Sequence, residues 1–241
     1  EYLFRHALLR DASYESILLK HRGTYHGQVA AWIEANAGER LEEHLALIAG
    51  HYADGGQPDL AVDWYTRAGE RAISQSSMQE ARHLFELALK LIRLDDLPRL
   101  WRDLLGHDQA VGTLGLLAER QADDTSLLSL ARQLGEDSRM AVAYFRQGCQ
   151  ANQEGNTPAS LHAFEQALQA ARRAGDLSMQ ALIIPMQVVI FTTAGDLQSA
   201  AALVEQALEI ANHTGDTNIL ARALTNLAPY YQAVGDITRS V

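Results

Sequence analysis

One cysteine, Cys149, and two lysines, Lys20 and Lys90, stand in a chain of 241 residues. A single thiol excludes a disulfide framework and fits a reducing, cytoplasmic compartment. The near-absence of lysine, with no Gly-x-x-x-x-Gly-Lys run, excludes a phosphate-binding loop and so ATP binding by this stretch. No apolar run approaches the ~20 residues of a membrane span, so no membrane partner is expected. The net charge of −10 and a pI near 5.3 argue against a nucleic-acid surface, which needs a basic patch. The positions around which a local basic patch would have to form are Arg5, Arg10, Lys20 and Arg22. β-Branched residues are too few for a sheet protein.

What the chain has is alanine, leucine and a glycine ruler. The apolar share is 47%, which suits helices. Glycine recurs every twenty residues at Gly135, Gly155, Gly175, Gly195, Gly215 and Gly235. Asp follows four of the six, and Glu136 and Asn156 follow the others. A helix stop followed by a polar start residue, at fixed intervals, predicts stacked antiparallel helices. The unit is two helices of about sixteen residues with a period of forty. It spans 138–154 with 158–174, 178–194 with 198–214, and 218–234. Matches at an offset of forty support it: Glu165-Gln166-Ala167-Leu168 falls on Glu205-Gln206-Ala207-Leu208.

The second helix of each pair carries a small-aromatic-small pattern at spacing four then three: Ala61/Tyr65/Ala68, Ala81/Phe85/Ala88, Ser160/Phe164/Ala167 and Ala200/Val204/Ala207. These spacings place three side chains on one helix face, where small residues allow close approach and the large one fills the gap. Twelve residues upstream of each first small position is Ala49, Gly69, Gly148 or Val188, with Ala228 in the last unit. Residues 94–135 are less regular. Asp96-Leu97-Pro98 reads as a helix start, and two amphipathic helices are expected to meet around Asp123-Asp124-Thr125. The Ala81 to Ser160 offset is one short of two units, so the register slips once. Pro185 and Pro229 fall mid-helix, where proline costs about 3 kcal/mol unless a kink relieves it.

Tests for chemistry come back empty. His44 and His51 are seven apart on one helix, and His21 and His26 are five apart; a metal site wants three or four plus a third ligand. Cys149 follows Gly148 with Arg146 as its basic neighbour and is read as a buried, inert thiol. No catalytic residue, metal ligand or cofactor is expected.

The small/aromatic code resembles the tetratricopeptide repeat, from which this chain departs in its longer period. The resemblance implies a right-handed superhelix of antiparallel pairs, a TPR-like α-solenoid, over 41–93 and 136–241, the latter truncated at its end. Residues 94–135 are then a degenerate repeat. Residues 1–40 carry Phe4-Arg5-His6-Ala7-Leu8, Ala12-Ser13-Tyr14-Glu15-Ser16 and Arg22-x-x-x-His26. Glu43-His44-x-Ala46 and Arg67-Ala68-Gly69-Glu70-Arg71-Ala72 follow. This order resembles the linker between a nucleotide-switch (STAND/AAA-type) ATPase module and its helical repeats. Residues Gly135-Glu136-Asp137-Ser138-Arg139-Met140 resemble the cyclase-linked members. The resemblance implies a protein-interaction and regulatory module of a larger signalling ATPase, fused to a class III adenylate or guanylate cyclase. The alternative is the effector-sensing repeat of a LuxR/MalT-like transcription regulator. A third reading, an enzyme whose site escapes motif search, would show as buried titratable groups converging on a pocket.

If first helices line the concave face, its inward positions are Phe145, Cys149 and Asn152, then Val189 and Thr192, then Thr225, Pro229 and Gln232. That face is mostly uncharged. It suits a protein or peptide, another domain of the parent, or a second copy of the chain.

Overall fold

The computed structural model describes residues 7–236, the side chains of 7–10, 19, 20, 211 and 222 excepted. Among the described residues there is no strand. The front of the chain forms α1 (Ala7–Ser16), α2 (Leu19–Asn36), a 3₁₀ segment (Gly38–His44), α3 (Leu45–Asp54), α4 (Pro58–Ser74), α5 (Met78–Leu91) and α6 (Leu97–Thr113). After these come α7 (Leu117–Leu134), α8 (Asp137–Gln153), α9 (Thr157–Arg173), α10 (Leu177–Thr193), α11 (Leu197–Thr214) and α12 (Thr217–Ala233). From α8 onward each helix starts one residue earlier than the spacing predicts. The reason is that the residue after the glycine is itself the N-cap. Arg5 and the truncated end of the last repeat, residues 237–241, lie outside the described residues, as do the side chains of Arg10 and Lys20.

The turns share one chemistry. After α9, the Gly175 N–H donates to the Arg172 carbonyl at 3.1 Å and the Asp176 N–H to the Ala171 carbonyl at 2.9 Å. This closes the helix in a Schellman motif, with Gly175 at φ +67°. Asp176 then caps α10, its carboxylate accepting from the Met179 N–H at 2.8 Å. The same pair of backbone bonds recurs at Gly56, Ser76, Gly115, Gly155, Gly195 and Gly235. Ser76, at φ +60°, takes the left-handed position that glycine takes elsewhere.

Two of these turns correct the sequence reading. The break inside 94–135 is at Gly115 (φ +73°), which extends the ruler by one step; Asp123, Asp124 and Thr125 lie inside α7. Asp123 and Asp124 are buried side chains of a helix, not exposed turn residues. The register slip falls between Ser76 and Gly115, where α5 has 14 residues and Ile92 after it turns extended. The α6 start is as expected, the Asp96 carboxylate accepting from the Arg99 N–H. Pro185 and Pro229 sit within α10 and α12, which remain continuous.

The contacts divide the chain into two compact units, one through Asp123 and one from Asp124. In the first unit α2, α3, α4, α5 and α6 each pack on the next. Its core is Ile48, Ala49, Tyr65, Leu84 and Phe85, with the small residues Ala61, Ala68, Ala81 and Ala88 between them. α4 and α5 are consecutive helices and both carry the small-aromatic-small pattern, so here it marks successive helices rather than the second of each pair. In the second unit α8 pairs with α9 and α10 with α11, while α10 also packs on α9 and α12. Phe164, Ala167, Ile183, Ile184, Val188, Val204 and Leu227 fill this core. Phe164 is fully buried, and a Cβ on Gly148 would stand 2.6 Å from its ring. That contact is why the position twelve residues before Ser160 is glycine.

Candidate functional site

The eight predicted groove residues sit on three neighbouring first helices of the second unit. They fall into rows forty residues apart: Cys149, Val189 and Pro229; Asn152, Thr192 and Gln232; and Phe145 with Thr225, between which Pro185 is buried. Phe145 is half-buried, its ring centroid 5.7 Å from that of Phe164, so it belongs to the core as much as to a surface. Cys149 is half-buried against the same core and forms no disulfide. Burial pushes the Arg146 guanidinium nearby below its ordinary value. Val189 and Thr192 are half-buried; Asn152, Thr225, Pro229 and Gln232 are exposed. The Thr225 hydroxyl is spent on the Ala221 carbonyl at 2.9 Å.

The hollows described in the second unit lie elsewhere. One, of about 550 Å³, is framed by α7, α8 and α9. A second, of about 510 Å³, is framed by α9, α10 and α11. By the 3.6-residue period, Gln147 and Ala151 face the side of α8 away from Cys149 and Asn152. The two hollows repeat each other. Arg132, Gln147, Ala151, Ala163 and Gln166 line the first; Arg172, Gln187, Phe191, Leu203 and Gln206 line the second, each forty residues on. Gln187 is 8% exposed and its Oε1 has no hydrogen-bond partner.

The first unit holds a polar cluster that sequence reasoning missed. Asp103 on α6 is fully buried, its Oδ1 2.6 Å from the Thr66 hydroxyl of α4, which also lies 2.8 Å from the Val62 carbonyl. Burial raises the Asp103 carboxyl to about 6, against the Thr66 hydrogen bond and Arg102, with Glu70 and Asp63 adding to the rise. One turn along, His107 Nδ1 meets Asp123 Oδ2 of α7 at 2.6 Å. Burial works to lower the His107 value, but the Asp123 hydrogen bond and charge, with Glu86 and Glu119, hold it above 6.5. Arg82 of α5 reaches Glu86 at 3.0 Å and Glu119 at 2.8 Å. The sequence did hold a signal: Asp103, His107 and Asp108 interrupt the apolar face of Trp101, Leu104 and Val111. None of these polar residues lines a described hollow.

His51 lies on α3 and His44 at the end of the 3₁₀ segment before it, and His51 packs against a neighbouring helix, its Nδ1 2.8 Å from Nδ1 of His26 on α2. Burial, then the nearby His26, lowers the His51 value, opposed by Asp54. Of the basic-patch positions, Arg22 is spent on the Ile17 and Glu15 carbonyls and stacks over Tyr14.

No protein-family model matches the chain. A 154-residue stretch is 29% identical to the uncharacterized protein R02095 of Rhizobium meliloti (strain 1021). The match takes in 60% of this chain and 15% of that protein's length. Among solved structures, the chain is similar to BtubC (BKLC) from P. vanneervenii at 17% identity and TM-score 0.63, covering 93% of this chain and 87% of that one. It is similar to the apo form of RapI at 10% identity and TM-score 0.66, covering 90% and 93%. A Rap protein complexed with competence and sporulation factor matches at 11% identity and TM-score 0.57, covering 94% and 74%. At such identities the likeness establishes the fold alone: an all-α helical repeat of the solenoid kind.

Proposed function

We propose that this chain is a protein-interaction scaffold that docks an extended peptide segment along the repeated hollows of its second unit. The observation that carries this is Gln187. A buried amide oxygen without a donor costs about 1–3 kcal/mol, and a peptide N–H entering the hollow would supply that donor. The forty-residue recurrence of one Arg and two Gln offers the same contacts to successive segments of one extended chain. Amide side chains both donate to and accept from a peptide backbone. The solved complex of a Rap protein with competence and sporulation factor supports a docked partner as the reading for this chain.

The wider role we propose is regulatory, within a larger signalling ATPase or cyclase. It rests on the linker-like order of residues 1–40 and on the much greater length of the curated relative. Docking regulates such a parent if the partner binds its closed and open states with different affinity.

Selection of a random peptide library against the chain tests the docking claim. The expected result is enrichment of peptides whose binding is lost in Phe191→Glu and kept in Val189→Glu on the opposite side of α10. No enrichment, or loss in Val189→Glu with retention in Phe191→Glu, would refute it; the latter would move the site to the row of Cys149, Val189 and Pro229.

A further inference from the structure

We propose that Glu86, His107 and Glu119 bind a divalent transition-metal ion that ties α5, α6 and α7 together. One ligand atom from each residue lies within 4.8 Å of the others, and the three come from three helices. His107 is 7% exposed, and its Nε2 has no hydrogen-bond partner although it lies 3.9 Å from Glu86 Oε1. Asp123 sits on the other ring nitrogen at 2.6 Å. That is the arrangement in which a carboxylate fixes the imidazole tautomer and turns the second nitrogen's lone pair toward a metal. One imidazole and two carboxylates suit zinc, manganese, iron or cobalt. Thiolate-seeking ions and all-oxygen calcium sites fit this donor set poorly.

The competitor for the carboxylates is Arg82. Its guanidinium pairs with both Glu86 and Glu119, and its side chain is 32% exposed on a flexible stem. In the absence of metal, Arg82 neutralises the two acids. A bound ion takes over that role and releases the guanidinium toward solvent. Arg82 therefore sets the affinity, and its removal frees both ligands without touching them. A cluster that serves packing alone predicts no saturable uptake in wild type or in Arg82→Gln, and only a loss of stability in that variant, because two half-buried carboxylates are left unpaired. This inference concerns the first unit and stands independently of peptide docking.

Zinc titration of the full chain at pH 7.5 against a chromophoric chelator, repeated with cobalt and read by its visible absorption, tests the site. One saturable zinc per chain is expected. Glu119→Gln and His107→Gln should abolish it, and Asp123→Asn should weaken it about 10- to 100-fold, as a lost outer partner of a metal-bound imidazole does. Arg82→Gln should tighten it. His51→Gln, which removes the histidine pair on α2 and α3, should leave it unchanged. Circular dichroism accompanies each variant. If His107→Gln does not fold, the half-exposed Glu119 carries the test. No saturable uptake, uptake unaffected by Glu119→Gln, weakened uptake in Arg82→Gln, or loss in His51→Gln would each overturn the assignment.

Discussion

The Phe164 ring occupies the space a side chain on Gly148 would need, a Cβ there standing 2.6 Å from the ring. Both residues are buried, so neither can yield to solvent. Gly148→Ala gains about 1 kcal/mol of helix propensity but overpacks the α8–α9 contact at a cost of about 1–3 kcal/mol. Its melting temperature should fall. Gly50→Ala is the contrast, since its Cβ would meet the Tyr65 hydroxyl at an ordinary 3.6 Å. That variant should be stabilised by up to about 1 kcal/mol. Thermal melts of the pair check the opposite signs.

Ser76 holds a left-handed backbone in a turn where other repeats place glycine. A side chain in that conformation costs about 1–2 kcal/mol, and the N–H bonds from Ser76 to Ile73 and Ser77 to Ala72 remain available to any residue. Ser76→Gly should therefore raise stability by about 1 kcal/mol, read as a shift in the urea midpoint with an unchanged slope. Destabilisation would mean that the serine side chain, not the backbone, holds the turn.

Asp103 makes stability depend on pH. Its carboxyl keeps its proton up to about pH 6 in the folded chain, against about 4 when unfolded. Between those values the folded state binds more protons. The stabilising contribution is thus complete below about pH 4 and is lost as pH rises through 6. The neutral acid also satisfies Thr66: with its single proton given to the Val62 carbonyl, that hydroxyl can accept from Asp103. Arg102, Asp63 and Glu70 are the charged groups around it. Asp103→Asn should gain roughly 2 to 3 kcal/mol on wild type between about pH 4 and 7.5. Urea unfolding at both values measures it, and a pH-independent difference would contradict the buried-acid reading.

The sequence made the helix pairs legible wherever turn chemistry was explicit. Gly175-Asp176 stops one helix and caps the next, so two adjacent letters give a boundary. Ser76 hid the same turn because its residue type does not advertise a positive φ. Gly115 hid it because Leu116 follows it, an apolar residue where the other turns place a polar cap. The polar cluster was less accessible: Glu86, His107 and Glu119 lie on three helices, and no local spacing links them. The hollows were half visible. Gln166 and Gln206 align at the offset of forty, but that Gln147 and Gln187 face the same side as they do is a property of the packed helices.

Peptide docking on the repeated hollows is tested most directly by titrating one selected peptide against Gln147→Ala, Gln187→Ala and the double variant. Each single change should weaken binding by about tenfold, and the double variant should lose at least the product of the two, since each hollow holds its own stretch of the peptide. Equal affinity of all three variants and wild type would contradict the account.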